Sequence, residues 1–365
     1  MRTFDPGFVP PFCPLPACPN HRDPRGFDCV RTGTYSRKCE PTTIQRFRCC
    51  TCRKGFSTQT FDTTYYLKRP DLQRPLFDAL TNCSAFRQLG RAFGVAHSTL
   101  QRQASRLGRH CLLFERTHGP RKPPEEPVAI DGFVTFEFSQ YWPCEINVLV
   151  GRESYYVYAM TESELRRSGR MTAAQKKKRE RLEAKHGKPD PEATRSAIEA
   201  LVRLVAPEPA ALDIYTDEHQ AYPRAFRRLP HAITHRTVSS RRCRTAQNPL
   251  FAVDLYDLLL RHGGSNHKRE TIAFSKRRQG ALERAAVTQV WRNHVKRISE
   301  NDRTSKTPAQ ALGLATRPLT SGDVLLRRLF PSQVPLPAPL NAWYWRDVET
   351  RQIPNGTRHD LKRAA

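Results

Sequence analysis

Acidic residues are scarce in this 365-residue chain: 35 Asp and Glu stand against 61 Lys and Arg, a formal net charge of +26. So large an imbalance opposes a compact state through self-repulsion and calls for a polyanionic partner. Nucleic acid is the first candidate and an acidic membrane surface the second. Long apolar runs are missing too. No stretch reaches the roughly 18 residues a transmembrane helix needs, which excludes a spanning segment. Residues 1–14 carry four prolines and no apolar h-region, so no secretory signal is read, and a cytoplasmic, nucleoid-associated setting is expected. No repeat recurs at periods of 20–50 residues, which excludes solenoids and propellers. Wholesale disorder is excluded by 38% hydrophobic and 9% aromatic content.

Cysteine and proline, by contrast, are plentiful. Seven of eleven cysteines fall between Cys13 and Cys52, and without a secretion signal that density reads as metal binding before disulfides. Cys13 and Cys18 are spaced C-x4-C, and Cys49 and Cys52 C-x2-C. Two close pairs, each on a tight turn, are what a tetrahedral structural zinc site requires. Gly55 and Phe56 after the second pair suit a β-ribbon leaving the knuckle. Cys29, Cys39 and Cys50 are spare thiols, and His21 is a possible substitute ligand.

Composition divides the chain into a zinc ribbon over 1–62, a helical domain over 63–118 and a Pro-rich basic linker over 119–127. A mixed α/β domain follows over 128–315, then an irregular basic tail over 316–365. Within 63–118, Cys83–Arg102 has the pattern of a helix-turn-helix: Leu89, Ala92 and Phe93 share one face, and Gly94 can take the left-handed turn. Its second helix would present Ser98, Thr99, Gln101, Arg102 and Arg106 to base edges or phosphates. The strand pattern begins with PVAIDGFVTFEF, INVLVG and SYYVYAMT. A charged helical insertion is read over 162–205, around Lys176–Arg181, and a buried strand LDIYT ends at Asp217.

Asp131 and Asp217 each sit in or at the end of a buried strand. A lone buried carboxylate is costly unless it is paired or binds a cation, so two such acids on neighbouring strands suggest a Mg²⁺ site. Two ions about 3.5–4 Å apart could clamp the attacking and leaving oxygens of a phosphoryl displacement. The helix Leu250–Arg261 offers a third acid at Asp254 or Asp257, with Glu270 and Glu283 as further rivals. Asp257 and Arg261, four apart, could equally be a surface ion pair.

Five pieces in this order, CPLPACPNH with RFRCCTCRKGFSTQTF, AFRQLGRAFGVAHSTLQRQ, AIDGFVTFEFSQY, IYTDEHQAYPRAF and HKRETIAFSKRRQGALERAAVTQVWRNHVK, span roughly residues 13–315. Together they resemble bacterial insertion-sequence transposases that carry a zinc ribbon, a helix-turn-helix and a ribonuclease-H-like DDE catalytic domain. The resemblance implies a first acid at Asp131, a second at Asp217 and a third on the helix ahead of the KRETIAFSK segment. The family often has Glu followed by Asn and, seven residues on, Arg. Counting back from Arg261 gives Asp254, with no Asn after it, and Asp257 is the other in-helix candidate.

The resemblance also implies structural Zn²⁺, catalytic Mg²⁺ or Mn²⁺, cleavage and strand transfer at insertion-sequence ends, and a homo-oligomer on double-stranded DNA. His219, Lys268, Arg269 and Lys276 would contact phosphates. Two other functions fit the same composition: a non-catalytic DNA-binding regulator descended from a transposase, and an RNA-binding zinc-ribbon protein.

Overall fold

The computed structural model describes residues 7–268 and 271–352. At the N-terminal end, the turn of helix α1 (Pro19–Arg22) leads into three antiparallel strands, β1 (Cys29–Ser36), β2 (Thr43–Cys49) and β3 (Gly55–Ser57). The knuckle between β2 and β3 closes because Arg53 takes a left-handed conformation (φ 61°) and donates its N–H to the Cys49 carbonyl at 3.1 Å. Phe47 and Phe56 face each other across the β2–β3 pair and stack at 5.7 Å. They form a small aromatic core with Phe61 beside the cysteines.

Three helices follow: α2 (Gln73–Leu80), α3 (Phe86–Phe93) and α4 (His97–His118). Helix α3 stops because Gly94 adopts φ 62°, ψ 37°, and α4 starts three residues later. The turn is tight: a Cβ on Gly90 would lie 2.9 Å from the Val95 carbonyl oxygen. Helix α4 buries Leu100, Ala104, Leu107 and Cys111 at three- and four-residue steps, the stripe of a core-facing helix.

Strands β4 (Val128–Phe136), β5 (Pro143–Gly151), β6 (Val157–Glu164), β7 (Ala211–Thr216) and β8 (Ala232–Thr237) form one sheet in the order β6-β5-β4-β7-β8. Strand β5 runs antiparallel to both β4 and β6, while β7 runs parallel to β4 and β8 parallel to β7. Alternation along β4 assigns the faces. Val128 and Ile130 pack with α6 (Ala193–Val205) and α7 (Ala221–Phe226). Ala129 and Phe133 pack on the opposite face with α8 (Phe251–Gly263) and α9 (Arg278–Val290).

Three sequence expectations are corrected. The 162–205 stretch is not one insertion. Strand β6 runs on to Glu164, and α6 buries Ile198, Leu201 and Val202 against the sheet. Only the excursion carrying α5 (Ala173–His186), a helix with no fully buried residue, lies at the surface, against Tyr141 and Trp142. Nor is the helical segment a separate unit, because α2, α3 and α4 share one core with the sheet and α9. Helices α4 and α9 touch backbone to backbone at Gly108, where a Cβ would lie 2.5 Å from the Glu283 carbonyl oxygen.

The region after 315 is not a loose tail either. After a π-helical turn at Trp291–Val295 come three short helices, α10 (Pro308–Ala311), α11 (Ser321–Val324) and α12 (Ala338–Trp345). Between α11 and α12, Phe330 enters the ribbon's aromatic core, and Trp343 and Tyr344 of α12 enter the main core. Bulky aromatics in a Pro-rich stretch thus anchor it without long elements. Among the described residues no helix is long and apolar enough to cross a membrane.

Candidate functional site

The sulfurs of Cys13, Cys18, Cys49 and Cys52 all lie within 4.8 Å of one another, with Cys13 Sγ 3.5 Å from Cys52 Sγ. Tetrahedral zinc with Zn–S near 2.3 Å implies sulfur–sulfur separations of about 3.8 Å, so this cluster fits a structural zinc site. Burial pushes the Cys49 thiol up, but the N–H groups of Cys52 and Thr51 and the neighbouring sulfurs outweigh it and bring it down to about 7. Burial raises the Cys13 thiol. His21 is not a fifth candidate: its Nδ1 is 2.7 Å from the Cys13 carbonyl and its Nε2 2.8 Å from Ser332 Oγ, so it braces the knuckle from behind. Cys50 donates to Asp28, and Cys39 lies at the Leu67 carbonyl.

The carboxylates of Asp131, Asp217, Asp254 and Asp257 lie on β4, after β7 and on α8. Asp131 has the same parity as Ala129 and Phe133 and so faces the α8 side of the sheet. Its carboxyl is raised to about 6, first by burial and then by repulsion from Asp217 and Asp254; the Gly132 N–H at 2.7 Å and the Arg244 charge oppose this. Asp217 follows β7 directly and accepts the His219 N–H at 2.9 Å. Helix α8 supplies two more acids one turn apart.

Those two acids differ. Asp254 accepts a hydrogen bond from Arg244 Nη1 at 2.5 Å. Asp257 keeps Oδ1 buried with no hydrogen-bond partner, and its carboxyl is raised well above the usual range by burial and then by the Asp131 charge. Arg261 lowers it, while its own Nη1 and Nη2 donate to the carbonyls of His267 and Val134. The acids do not close up as the cysteines do: among the described residues, only the four cysteines bring three or more potential metal ligands within 4.8 Å.

Sequence reasoning missed two residues here. Tyr222 is buried on α7, its hydroxyl raised by burial and then by Asp131, Asp217, Glu145 and Asp257, so it stands amid the acids. Its signal was its place five residues after Asp217. Arg244 was foreshadowed by the run Arg241-Arg242-Cys243-Arg244 just before α8. Glu283, a rival third acid, is engaged elsewhere: it accepts from Ser105 Oγ at 2.7 Å and pairs with Arg346 at 3.3 Å.

On the helical face, Gln101 and Arg102 are exposed and Ser98 and Thr99 half-buried. Arg106 departs from expectation. It turns into the body, where burial and then the charges of Arg328 and Arg109 lower it to about 10. His219 and Lys268 are exposed, and Lys276 stacks its Nζ 3.6 Å from the Phe274 ring centre. Arg269 and Glu270 lie outside the described residues.

No protein-family model and no curated protein matches the sequence. Among solved structures the chain is similar to one in the cryo-EM structure of the simian T-cell lymphotropic virus intasome in complex with PP2A regulatory subunit B56 gamma. The identity is 17% and the TM-score 0.27, covering 55% of this chain and 59% of that one.

Proposed function

We propose that the chain is a DNA transposase of the insertion-sequence type, with a ribonuclease-H-like catalytic domain built on β4–β8. The observation that carries this reading is the pair Asp131 on β4 and Asp257 on α8: burial raises both, the Asp131 charge raises Asp257 further, and Asp257 keeps an orphaned oxygen. Asp217 completes a triad from the neighbouring strand. The strand order, with three antiparallel strands followed by two parallel ones, supports the same reading.

Asp131, Asp217 and Asp257 would hold Mg²⁺ or Mn²⁺, and Asp254 is the reserve acid, held by Arg244. The cation, when bound, supplies charge neutralisation and an activated water for phosphodiester cleavage. The remaining tasks fall to the chain's own groups. Gln101 and Arg102 meet base edges at the element ends, Lys268 and Lys276 meet backbone phosphates, and Tyr222 offers a hydroxyl beside the acids. The zinc knuckle keeps the ribbon folded, and the working form is a homo-oligomer on paired ends.

The test is nicking and strand transfer on a plasmid bearing the DNA that flanks the gene, with Mg²⁺ or Mn²⁺. Asp131→Asn and Asp257→Asn should abolish cleavage while end binding persists; cleavage by Asp131→Asn would refute the assignment. A second reading, a non-catalytic DNA-binding regulator, is favoured by the open spacing of the acids and the Arg244–Asp254 pair. It predicts binding without nicks, at equal affinity with and without Mg²⁺.

A further inference from the structure

Away from the acids, the chain concentrates positive charge in one excursion. Residues 165–188, which follow β6, carry ten Lys and Arg against two acids, Glu180 and Glu183. Helix α5 lies within this stretch and sorts its residues by face. Gln175, Arg179, Leu182, Glu183 and His186 recur at three- and four-residue steps and are half-buried. Lys177, Arg181 and Lys185 are four apart, and all three are exposed.

The inner face is tied down. Glu183 accepts from Nε and Nη2 of Arg166, each at 2.9 Å, and Arg179 Nη1 donates to the Arg167 carbonyl at 3.0 Å. The Tyr141 ring centre lies 4.6 Å from the Arg167 guanidinium and 4.9 Å from Lys178 Nζ. Trp142 is buried and meets the His186 ring edge-on at 5.6 Å. Arg351 lies over Trp142 at 5.0 Å and donates to the Gly187 carbonyl at 2.7 Å. Thr172 Oγ1 caps the first turn by accepting the Gln175 N–H at 3.3 Å. Helix α5 is thus an arm fixed on the β4–β5 hairpin.

The outer face has no such partners. Among the described residues no carboxylate forms an ion pair with Lys177, Arg181 or Lys185. Like charges four apart oppose a helix, so a stripe of three along about 12 Å of axis calls for a polyanion. A lipid surface fits poorly. A helix that lies on a bilayer offers it bulky apolar side chains, and Leu182, the one such residue of α5, lies on the inner face beside Tyr141 and Trp142. A duplex carries a charge about every 1.7 Å of its axis and meets every step of the stripe. The hairpin gives the arm its place: β4 runs on to Phe136, about 17 Å past Asp131, before the turn that carries Tyr141 and Trp142. We propose that Lys177, Arg181 and Lys185 of α5 form a sequence-independent grip on the duplex backbone, on the flank of the DNA that lies at the acids. This deepens the DNA-binding reading and rests on it.

The experiment uses the full, zinc-loaded chain and fluorescence anisotropy with a mixed-sequence duplex of about 30 base pairs, titrated over a range of KCl. Lys177→Ala, Arg181→Ala and Lys185→Ala combined should weaken binding roughly tenfold or more and lower the salt slope by about two to three. Alanine favours helix, so the arm keeps its form. The charge-retaining set Lys177→Arg, Arg181→Lys and Lys185→Arg should hold the affinity within about twofold. Amide hydrogen exchange along α5 should slow when duplex is added to the wild-type chain. Unchanged duplex binding in the triple alanine variant overturns the grip but leaves the DNA-binding reading standing. Weaker binding with unchanged exchange in α5 also overturns it, since the cations would then act only through their long-range field. A wild-type chain that fails to bind duplex overturns the reading itself. Vesicles of phosphatidylserine and phosphatidylcholine serve as a second probe: if the triple variant loses only vesicle binding, the partner is a lipid surface and the grip is overturned.

Discussion

Arg244 reaches Asp254 at 2.5 Å, yet Asp257, one turn further along the same helix, buries an oxygen that nothing partners. Burial raises both carboxyls, but Asp254 has the Arg244 hydrogen bond to offset it and Asp257 Oδ1 has none. In metal-free protein, Asp257→Asn should stabilise the fold at pH 7 by about 1 kcal/mol or more, since it removes a carboxyl whose ionised form burial penalises. Asp254→Asn should change stability by less than about 1 kcal/mol, because its Arg244 partner is 69% exposed. Urea denaturation of the two variants checks this, and a larger loss from Asp257→Asn than from Asp254→Asn would reverse the assignment.

The same cluster fixes a pH dependence. Asp131 rises from an ordinary 3.8 to about 6 in the fold, so the native state holds a proton that the unfolded chain releases earlier. Stability of the metal-free protein should fall as pH rises from about 4 to 6 and level off above, with Asp131 contributing on the order of 3 kcal/mol at most. The Asp131→Asn profile should be flatter over that window. Denaturation midpoints at several pH values in chelator-treated, zinc-retaining protein measure it.

Close approach of backbones gives a steric prediction. Gly108→Ala would place a methyl 2.5 Å from the Glu283 carbonyl oxygen, where neither helix can yield cheaply. A loss of about 3 kcal/mol is expected, at the upper end for overpacking. Gly90→Ala, at 2.9 Å from the Val95 carbonyl, should cost less and act on the α3–α4 turn. Thermal melting ranks the two, and a neutral Gly108→Ala would show that α4 and α9 can separate freely.

Removing zinc should be felt far along the chain. The Arg328 N–H donates to the Phe61 carbonyl at 2.9 Å, and Gln333 Nε2 reaches the His21 carbonyl at 2.6 Å. Strong chelation, or Cys13→Ser, should therefore speed amide hydrogen exchange at Arg328 as well as in the ribbon. Unchanged exchange at Arg328 would mean that the segment holds its place without the knuckle.

Much of this was written locally in the sequence. The paired cysteine spacing put four sulfurs together, and the β-branched run before Asp131 placed that acid on a buried strand. Gly94 marked the turn ahead of α4. What was not legible depends on packing between distant segments. The amphipathic pattern of α6 announces a helix but not the sheet face that receives it, so it read as part of an insertion. Arg106 fits the exposed stripe of a recognition helix by periodicity alone; it turns inward because α12 and the segment carrying Arg328 pack over it. The difference between Asp254 and Asp257 lies in Arg244, which arrives from a separate loop.

The placement of Phe330 has a consequence for the order of events during synthesis. Phe12, Phe61 and Phe330 meet edge to face or tilted, with ring centres 5.2–5.8 Å apart. The ribbon is made first, yet its aromatic core lacks one wall until more than 260 further residues have left the ribosome. Contacts of such sequence separation form late and slowly. The nascent ribbon thus keeps an uncovered apolar face through most of translation, and it is sealed only after the acid-bearing strands and helix have been made.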